Sequence, residues 1–212
     1  GQQFTTSVAL TDISNKSANT LLEKITNLYV AYFNRPADVT GLEYWFNQIY
    51  TKTKTLNTIA EDFSWSKEYQ DSYPSTLNNQ DFVKKIYTNL FSRAADTGGL
   101  NYWTGRLDQN TVKRSEFILT VIEGAYASTS GPEDRTLINN KHDVALYYSG
   151  QLSIQDSITY NISGITQLLS KVNQNTVTVT GAEKLIDQSI SQHTSMNTLL
   201  SDQTYIQLIG LA

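Results

Sequence analysis

The sequence predicts an all-α protein, a helical bundle of about seven to nine helices that contains a 58-residue pseudo-repeat. Apolar residues recur at three- and four-residue steps, one long motif occurs twice, and residues that end and start helices lie at matching places in both copies. With 212 residues the chain is long enough to bury a substantial core. We therefore expect helices packed around that core.

The strongest observation is the repeat. Residues 28–45 match residues 86–103 at a constant offset of 58 and without a gap. The identical pairs are Tyr29 and Tyr87, Phe33 and Phe91, Arg35 and Arg93, Ala37 and Ala95, Asp38 and Asp96, Gly41 and Gly99, Leu42 and Leu100, Tyr44 and Tyr102, and Trp45 and Trp103. Two copies are too few for a long solenoid, so the repeat predicts a pseudo-symmetric pair of helical units.

Each copy is expected to hold two helices and a tight link, followed by a third helix. Apolar residues at helical spacing predict the first helix, namely Leu21, Ile25, Leu28, Tyr29, Tyr32 and Phe33. The Arg35-Pro36 pair ends it, because the residue before a proline is pushed out of the helical region. Asp38 is expected to cap the next helix, and Thr40 with Glu43 also fits a capping box.

The organisation along the chain follows from these patterns. We expect a polar leader at 1–20, two tandem helical repeats at 21–130, and a C-terminal helical subdomain at 131–212 packed on the repeats. Threonine and valine alternate over 176–180. We interpret that segment as an extended linker, because an isolated strand would have nothing to pair with.

Composition excludes several function classes. The absence of cysteine excludes a disulfide scaffold, a thiol nucleophile and a thiolate metal site. A net charge of −4 with 17% charged residues argues against nucleic-acid binding, which needs a basic face. The surface is expected to be neutral and polar, rich in Thr, Ser, Asn and Gln. No apolar run approaches the roughly 20 residues of a transmembrane helix.

No catalytic motif is visible in the sequence. A nucleophile elbow, a zinc-binding His-Glu-x-x-His motif and a phosphate-binding glycine-rich loop are all missing. His142 and His193 are interpreted as surface or helix residues. Two carboxylates for glycoside hydrolysis would have no local signature, so that chemistry stays open at this point.

The repeated motif resembles a known bacterial family. Arg–x–Ala–Asp–x–x–Gly–Leu–x–Tyr–Trp, carried by 34–45 and 92–103, resembles a helical domain of unknown function found in S-layer proteins and in type I-secreted RTX and adhesin-like proteins. It is also distantly similar to phycobilisome linker modules. The clear match covers about 21–130, and the second copy differs by Ala94 and Gly98. Where this domain opens an S-layer protein, the resemblance implies cell-surface anchoring through lipopolysaccharide O-antigen.

The aromatic pairs of the motif are the first candidate site. Trp45 and Trp103 fall on the apolar stripe of their helices, so we expect them in the core. Tyr44 and Tyr102 lie about 100° away around the helix and are the better candidates for contact with sugar.

The Arg35/Asp38 and Arg93/Asp96 pairs are the second candidate site, for an anionic or polyhydroxyl ligand. In the alternative interpretation the aspartates cap helices and the arginines brace the loops. Calcium at Asp38 or Asp96 is a further alternative, but Asp-x-x-Gly lacks the ligand density of a dedicated calcium loop. No cofactor is otherwise expected.

The sequence and the resemblance together lead to one functional expectation. The chain is expected to be a non-enzymatic, extracellular module that anchors a bacterial surface or secreted protein by binding surface polysaccharide. The first alternative is a protein–protein assembly or lattice module, including self-association, which would need an exposed apolar patch. A glycan hydrolase is the third interpretation and would need a cleft with two carboxylates.

Overall fold

A computed structural model describes residues 16–127, 132–154 and 160–212. These residues contain twelve helices and no strand, so the all-α prediction is confirmed. The helices are α1 (Lys16–Phe33), α2 (Val39–Tyr50), α3 (Leu56–Trp65), α4 (Lys67–Ser72), α5 (Asn79–Phe91), α6 (Thr97–Asp108), α7 (Arg114–Tyr126), α8 (Pro132–Ile154), α9 (Ile162–Lys171), α10 (Thr176–Ser191), α11 (Met196–Ser201) and α12 (Gln203–Leu208). Within the described ranges nine helices have ten or more residues, in line with the predicted seven to nine.

The 58-residue repeat is present in the backbone. Helices α2 and α6 begin and end 58 residues apart, α3 and α7 begin 58 apart, and α1 and α5 end 58 apart. Two turns repeat as well: Asn34 and Ser92 have φ of 50° and 49°, and Lys52 and Asn110 have φ of 59° and 54°. This left-handed conformation commonly ends a helix. The two copies therefore share helix ends as well as sequence.

Two clusters of buried side chains form the interior. The first fills the repeats, and Tyr32, Phe82 and Phe117 are among its fully buried rings. The second lies among α8 to α12, with Val30 of α1 added to it. Helix α8 contacts both clusters, since Ile138 belongs to the first and Tyr148 to the second. The C-terminal helices thus pack against the repeats along α8.

Two local predictions need correction. The chain is already helical at Lys16, so residues 16–20 belong to α1 rather than to a loose leader, while 1–15 lie outside the described residues. The extended linker predicted for 176–180 is wrong, because α10 begins at Thr176.

The start of α10 explains the second error. The Asn175 side chain accepts the Val177 N–H at 3.0 Å, and the buried Thr178 hydroxyl donates to the Asn175 carbonyl at 2.7 Å. Thr178, Ala182 and Leu185 then follow at helical steps and are all buried. Capping and burial outweigh the β-propensity of a short Thr/Val run, whose alternation by itself fits a strand.

Within the described ranges, no helix combines the length and the apolar character needed to cross a membrane.

Candidate functional site

Arg35 follows the end of the first repeated helix, α1, and all three nitrogens of its guanidinium donate hydrogen bonds. Its Nε and Nη2 donate to the two carboxylate oxygens of Glu68 in α4, at 2.7 and 2.6 Å. Its Nη1 donates to the Pro36 carbonyl at 2.9 Å and to the Tyr160 hydroxyl at 3.1 Å. Burial by itself would lower the pKa of Arg35, but Glu68 and Tyr160 raise it overall. With 8% of its surface exposed, Arg35 offers little area to a ligand.

Arg93 makes the equivalent hydrogen bonds to a carboxylate and to the next carbonyl, but it is exposed to solvent. Its Nε and Nη2 donate to the carboxylate of Asp134 in α8, at 3.1 and 2.5 Å, and its Nη1 donates to the Ala94 carbonyl at 3.0 Å. The hydrogen bonds to Asp134 raise the pKa of Arg93. Arg93 is exposed, so its outer surface is open to solvent.

Asp38 and Asp96 cap the helices that follow. Each carboxylate accepts a backbone N–H 2.8 Å away, from Gly41 and Gly99 respectively. The Gly99 N–H is the main cause of the lowered pKa of Asp96. The predicted cap at Asp38 is confirmed. Helix α2 begins at Val39, so the alternative capping box of Thr40 and Glu43 does not mark its start.

The calcium alternative at Asp38 or Asp96 would need other carboxylates close to these aspartates to form an acidic cluster. In the part of the chain that the structure describes, no group of three or more His, Cys, Asp or Glu side chains could hold a metal ion.

Neither arginine forms a hydrogen bond with the aspartate of its own motif in the described residues. Each arginine instead forms a bidentate pair with the carboxylate of a distant helix, Glu68 of α4 or Asp134 of α8. These partners lie 33 and 41 residues away in sequence, and no local pattern points to them.

The two tyrosine–tryptophan pairs have the same geometry in both repeats. Tyr44 and Trp45 meet edge to face with ring centroids 4.7 Å apart, and Tyr102 and Trp103 do so at 4.9 Å. The tryptophans are partly buried and pack against the first core cluster. The tyrosines are 50% and 55% exposed. The tyrosines therefore offer aromatic surface to a ligand, as a sugar-contact role requires.

Lys141 and His142 of α8 are buried side by side. The Lys141 ammonium donates to the Asn89 carbonyl at 2.5 Å, and burial lowers its pKa to about 8. Burial lowers the pKa of His142 to about 4, and its Nδ1 has no hydrogen-bond partner among the described residues. His142 is a helix residue, which is one of the two expected positions, and it is buried rather than at the surface. His193 lies in an exposed turn.

The clefts in the described surface include the following three. One of about 620 Å³ lies between the start of α9 and the end of α10, one of about 580 Å³ lies beside Trp65, and one of about 450 Å³ lies beside Leu208. None of the three has an aspartate or glutamate among its lining residues. These clefts therefore lack the carboxylate pair that glycoside hydrolysis requires.

Trp65 is an exposed aromatic residue that lies outside the repeated motif and was not among the predicted site residues. It is 73% exposed and ends α3. Its position lies off the buried stripe of Ile59, Ala60 and Phe63, and the equivalent residue of the second repeat is Glu123. A large aromatic residue that leaves both the stripe and the repeat is the signal that could have identified it.

Comparison with known proteins gives one family. Residues 13–73 and 60–128 match the family described as "Domain of unknown function (DUF4214)". No curated protein and no solved structure matches the chain significantly. The two matches together cover more than half of the chain, so the chain belongs to the DUF4214 family.

Proposed function

We propose that this member of the DUF4214 family is a non-enzymatic module that binds bacterial surface polysaccharide and so anchors a larger extracellular protein. The ligand is lipopolysaccharide O-antigen, and the location is the cell surface or S-layer. The similarity of the repeated motif to S-layer and type I-secreted proteins supports this location.

One observation carries the proposal: Tyr44 and Tyr102, 58 residues apart, are each about half exposed, and each makes an edge-to-face contact with the tryptophan next to it. A pyranose ring has an apolar C–H face and a hydroxyl rim. An aromatic ring with a polar tip matches both parts. The packed tryptophan holds each tyrosine in place, which lowers the entropy lost on binding.

The charge of the chain also favours a neutral polymer. Only 17% of residues are charged, and both motif arginines already form ion pairs with carboxylates of the chain. Hydrogen bonds from Asn, Gln, Thr and Tyr to sugar hydroxyls would supply specificity. An array of such modules in a lattice would raise a weak individual affinity by avidity.

The test is co-sedimentation of the chain with vesicles of lipopolysaccharide from the source bacterium, with and without O-antigen. We expect binding to the form with O-antigen and none to the truncated form. Adding or chelating calcium should leave binding unchanged if the caps at Asp38 and Asp96 carry no ion.

The paired tyrosines give a variant for the same assay. Tyr44→Ala with Tyr102→Ala should weaken binding about tenfold or more, because two stacking contacts of about 0.5–1.5 kcal/mol each are lost. Circular dichroism should show a fold like the wild type, since both side chains are half exposed. Full binding by the folded double variant would show that these tyrosines are not the contact residues.

A protein–protein assembly module is the second candidate, and one observation favours it. Leu208 is 81% exposed and Val177 is 53% exposed, and the two line one cleft at the end of the second core cluster. Exposed apolar side chains that lie close together are typical of contact surfaces. Concentration-dependent self-association that Leu208→Ser abolishes, without any binding to lipopolysaccharide, would favour this function.

A further inference from the structure

We propose that the groove beside Trp65 is a sugar-binding subsite that takes a neutral hexose unit of a polysaccharide chain. This inference rests on the proposed function and names a site within it. The Trp65 groove is lined by Ser64, Trp65, Tyr69, Gln70, Tyr73, Pro74, Ser75, Arg114 and Ser115. Its volume of about 580 Å³ is within the range of about 300–1,000 Å³ typical of small-molecule sites.

Trp65 supplies the apolar wall of the groove. It is the largest exposed aromatic side chain among the described residues, at 73% exposure. Its neighbours on α3 that face the core, Ile59 and Phe63, are buried, so Trp65 is not needed to fill the interior. A free indole face next to a groove fits the C–H face of a pyranose.

Tyr69 supplies an unpartnered polar group in the wall of the groove. The residue is only 6% exposed, and its hydroxyl makes no hydrogen bond within the described residues, but that oxygen is not one of the fully buried polar atoms. Burial raises the pKa of Tyr69 to about 12, so the hydroxyl keeps its proton at neutral pH. The hydroxyl therefore meets the solvent of the groove and can bind a ligand without breaking an internal hydrogen bond.

The rest of the lining is neutral and rich in hydroxyl and amide groups. The side-chain hydroxyls of Ser75 and Ser115 form no hydrogen bond in the described part of the chain. The Gln70 amide donates only a long bond of 3.4 Å, to the Trp65 carbonyl. These groups can donate and accept, which is what sugar hydroxyls require.

Arg114 is the only charged residue that lines the groove, and its hydrogen bonds within the described residues go to neutral groups of the chain. Its Nε donates to Asn79 Oδ1 at 2.8 Å and its Nη2 to the Leu77 carbonyl at 2.5 Å. The guanidinium carbon lies 4.8 Å from the Phe82 ring centroid. Since these contacts direct two of its nitrogens into the chain, Arg114 acts as a fixed wall.

The test is a titration of the whole chain with O-polysaccharide released from the lipid of the source bacterium, followed by tryptophan fluorescence. Trp45 and Trp103 are partly buried, so the exposed Trp65 should dominate a blue shift on binding. Trp65→Ala should weaken the affinity at least tenfold. Tyr69→Phe, which removes one hydroxyl, should weaken it roughly two- to tenfold.

Tyr50→Ala is the matched control, because Tyr50 is 70% exposed and lies outside the groove. Its affinity, measured by calorimetry alongside the other variants, should equal that of the wild type. Wild-type affinity in a folded Trp65→Ala variant would overturn the groove assignment while leaving the proposed function intact. Absence of any binding by the wild type would overturn both.

A protein ligand in the groove would give a different result. Trp65→Ala would then reduce self-association in sedimentation without changing the affinity for released polysaccharide. That outcome would also overturn the sugar assignment.

Discussion

The two repeats carry the same motif in different surroundings. Arg35 and Arg93 make the same set of hydrogen bonds to a carboxylate and to the next carbonyl. However, the Arg35 guanidinium donates to the side chains of both Glu68 and Tyr160, whereas among the described residues the Arg93 guanidinium donates to the side chain of Asp134 alone. The motif therefore determines the local geometry, and the unrepeated neighbours determine burial.

The same contrast holds between the repeated core residues and the residues of the proposed sugar subsite. Residues that recur at an offset of 58 residues, such as the capping aspartates and the motif tryptophans, have the same structural role in both copies. Trp65 has no aromatic counterpart, since Glu123 stands at its position in the second repeat. The Trp65 groove arises from such unrepeated residues. The duplication supplies a scaffold that individual substitutions can specialise.

The largest expected effect is the difference in stability between variants of the two repeated arginines. Arg35→Met should lower the free energy of unfolding by about 3 kcal/mol, because the buried guanidinium loses its charge-assisted hydrogen bonds to Glu68 and its bonds to Pro36 and Tyr160. Arg93→Met should cost about 1 kcal/mol or less, since its pair has side chains that are 43% and 22% exposed. Urea unfolding of both variants measures the difference, and equal losses would contradict the comparison.

The repeated glycines give a second, smaller contrast. A Cβ on Gly41 would lie 2.5 Å from the Tyr29 hydroxyl, and Tyr29 is 5% exposed. Gly41→Ala should therefore lower the free energy of unfolding by about 2 kcal/mol through overpacking.

Gly99→Ala is its matched control. The corresponding distance to the Tyr87 hydroxyl is 3.5 Å, an ordinary contact. This variant should be neutral or more stable by up to about 1 kcal/mol, because Gly99 lies in the first turn of α6 and alanine has a higher helix propensity than glycine. Thermal unfolding of the pair should give shifts of opposite sign or one near zero. Equal destabilisation would count against the difference in packing.

The smallest expected effect concerns the backbone carbonyls of Ala31 and Asn89, which lie at equivalent positions of the two repeats. The Ala31 carbonyl accepts from the neutral Asn89 amide, whereas the Asn89 carbonyl accepts from the Lys141 ammonium. The pKa of Lys141 is about 8 in the fold and 10.5 when unperturbed, so the unfolded chain binds more protons between these values. Stability should therefore rise with pH, by about 1 kcal/mol between pH 8 and pH 9.

Lys141→Met isolates this effect. Denaturant unfolding at both pH values should show the rise in the wild type and a flat profile in the variant. An identical rise in the variant would assign the pH dependence to another group.

Much of the fold could be predicted because its signals are local. The repeat, the end of α1 before Pro36 and the cap at Asp38 are each visible within a few residues. The start of α10 was missed, because a Thr/Val run fits a strand until the burial of Thr178 is known.

The environment of the candidate sites could not be predicted in the same way. Glu68 and Tyr160 reach Arg35 across 33 and 125 residues, and no spacing rule connects them. Trp65 carried a weaker signal, as an aromatic residue off the apolar stripe. Its use in a groove depends on α4 and on the start of α7, which only tertiary packing brings together.

The most direct test of the central claim is isothermal titration calorimetry of released O-polysaccharide against the wild type, Trp65→Ala and the Tyr44→Ala/Tyr102→Ala double variant. The account predicts saturable binding by the wild type, with at least a tenfold loss of affinity in each folded variant. No heat of binding from the folded wild-type chain would contradict a polysaccharide-binding function.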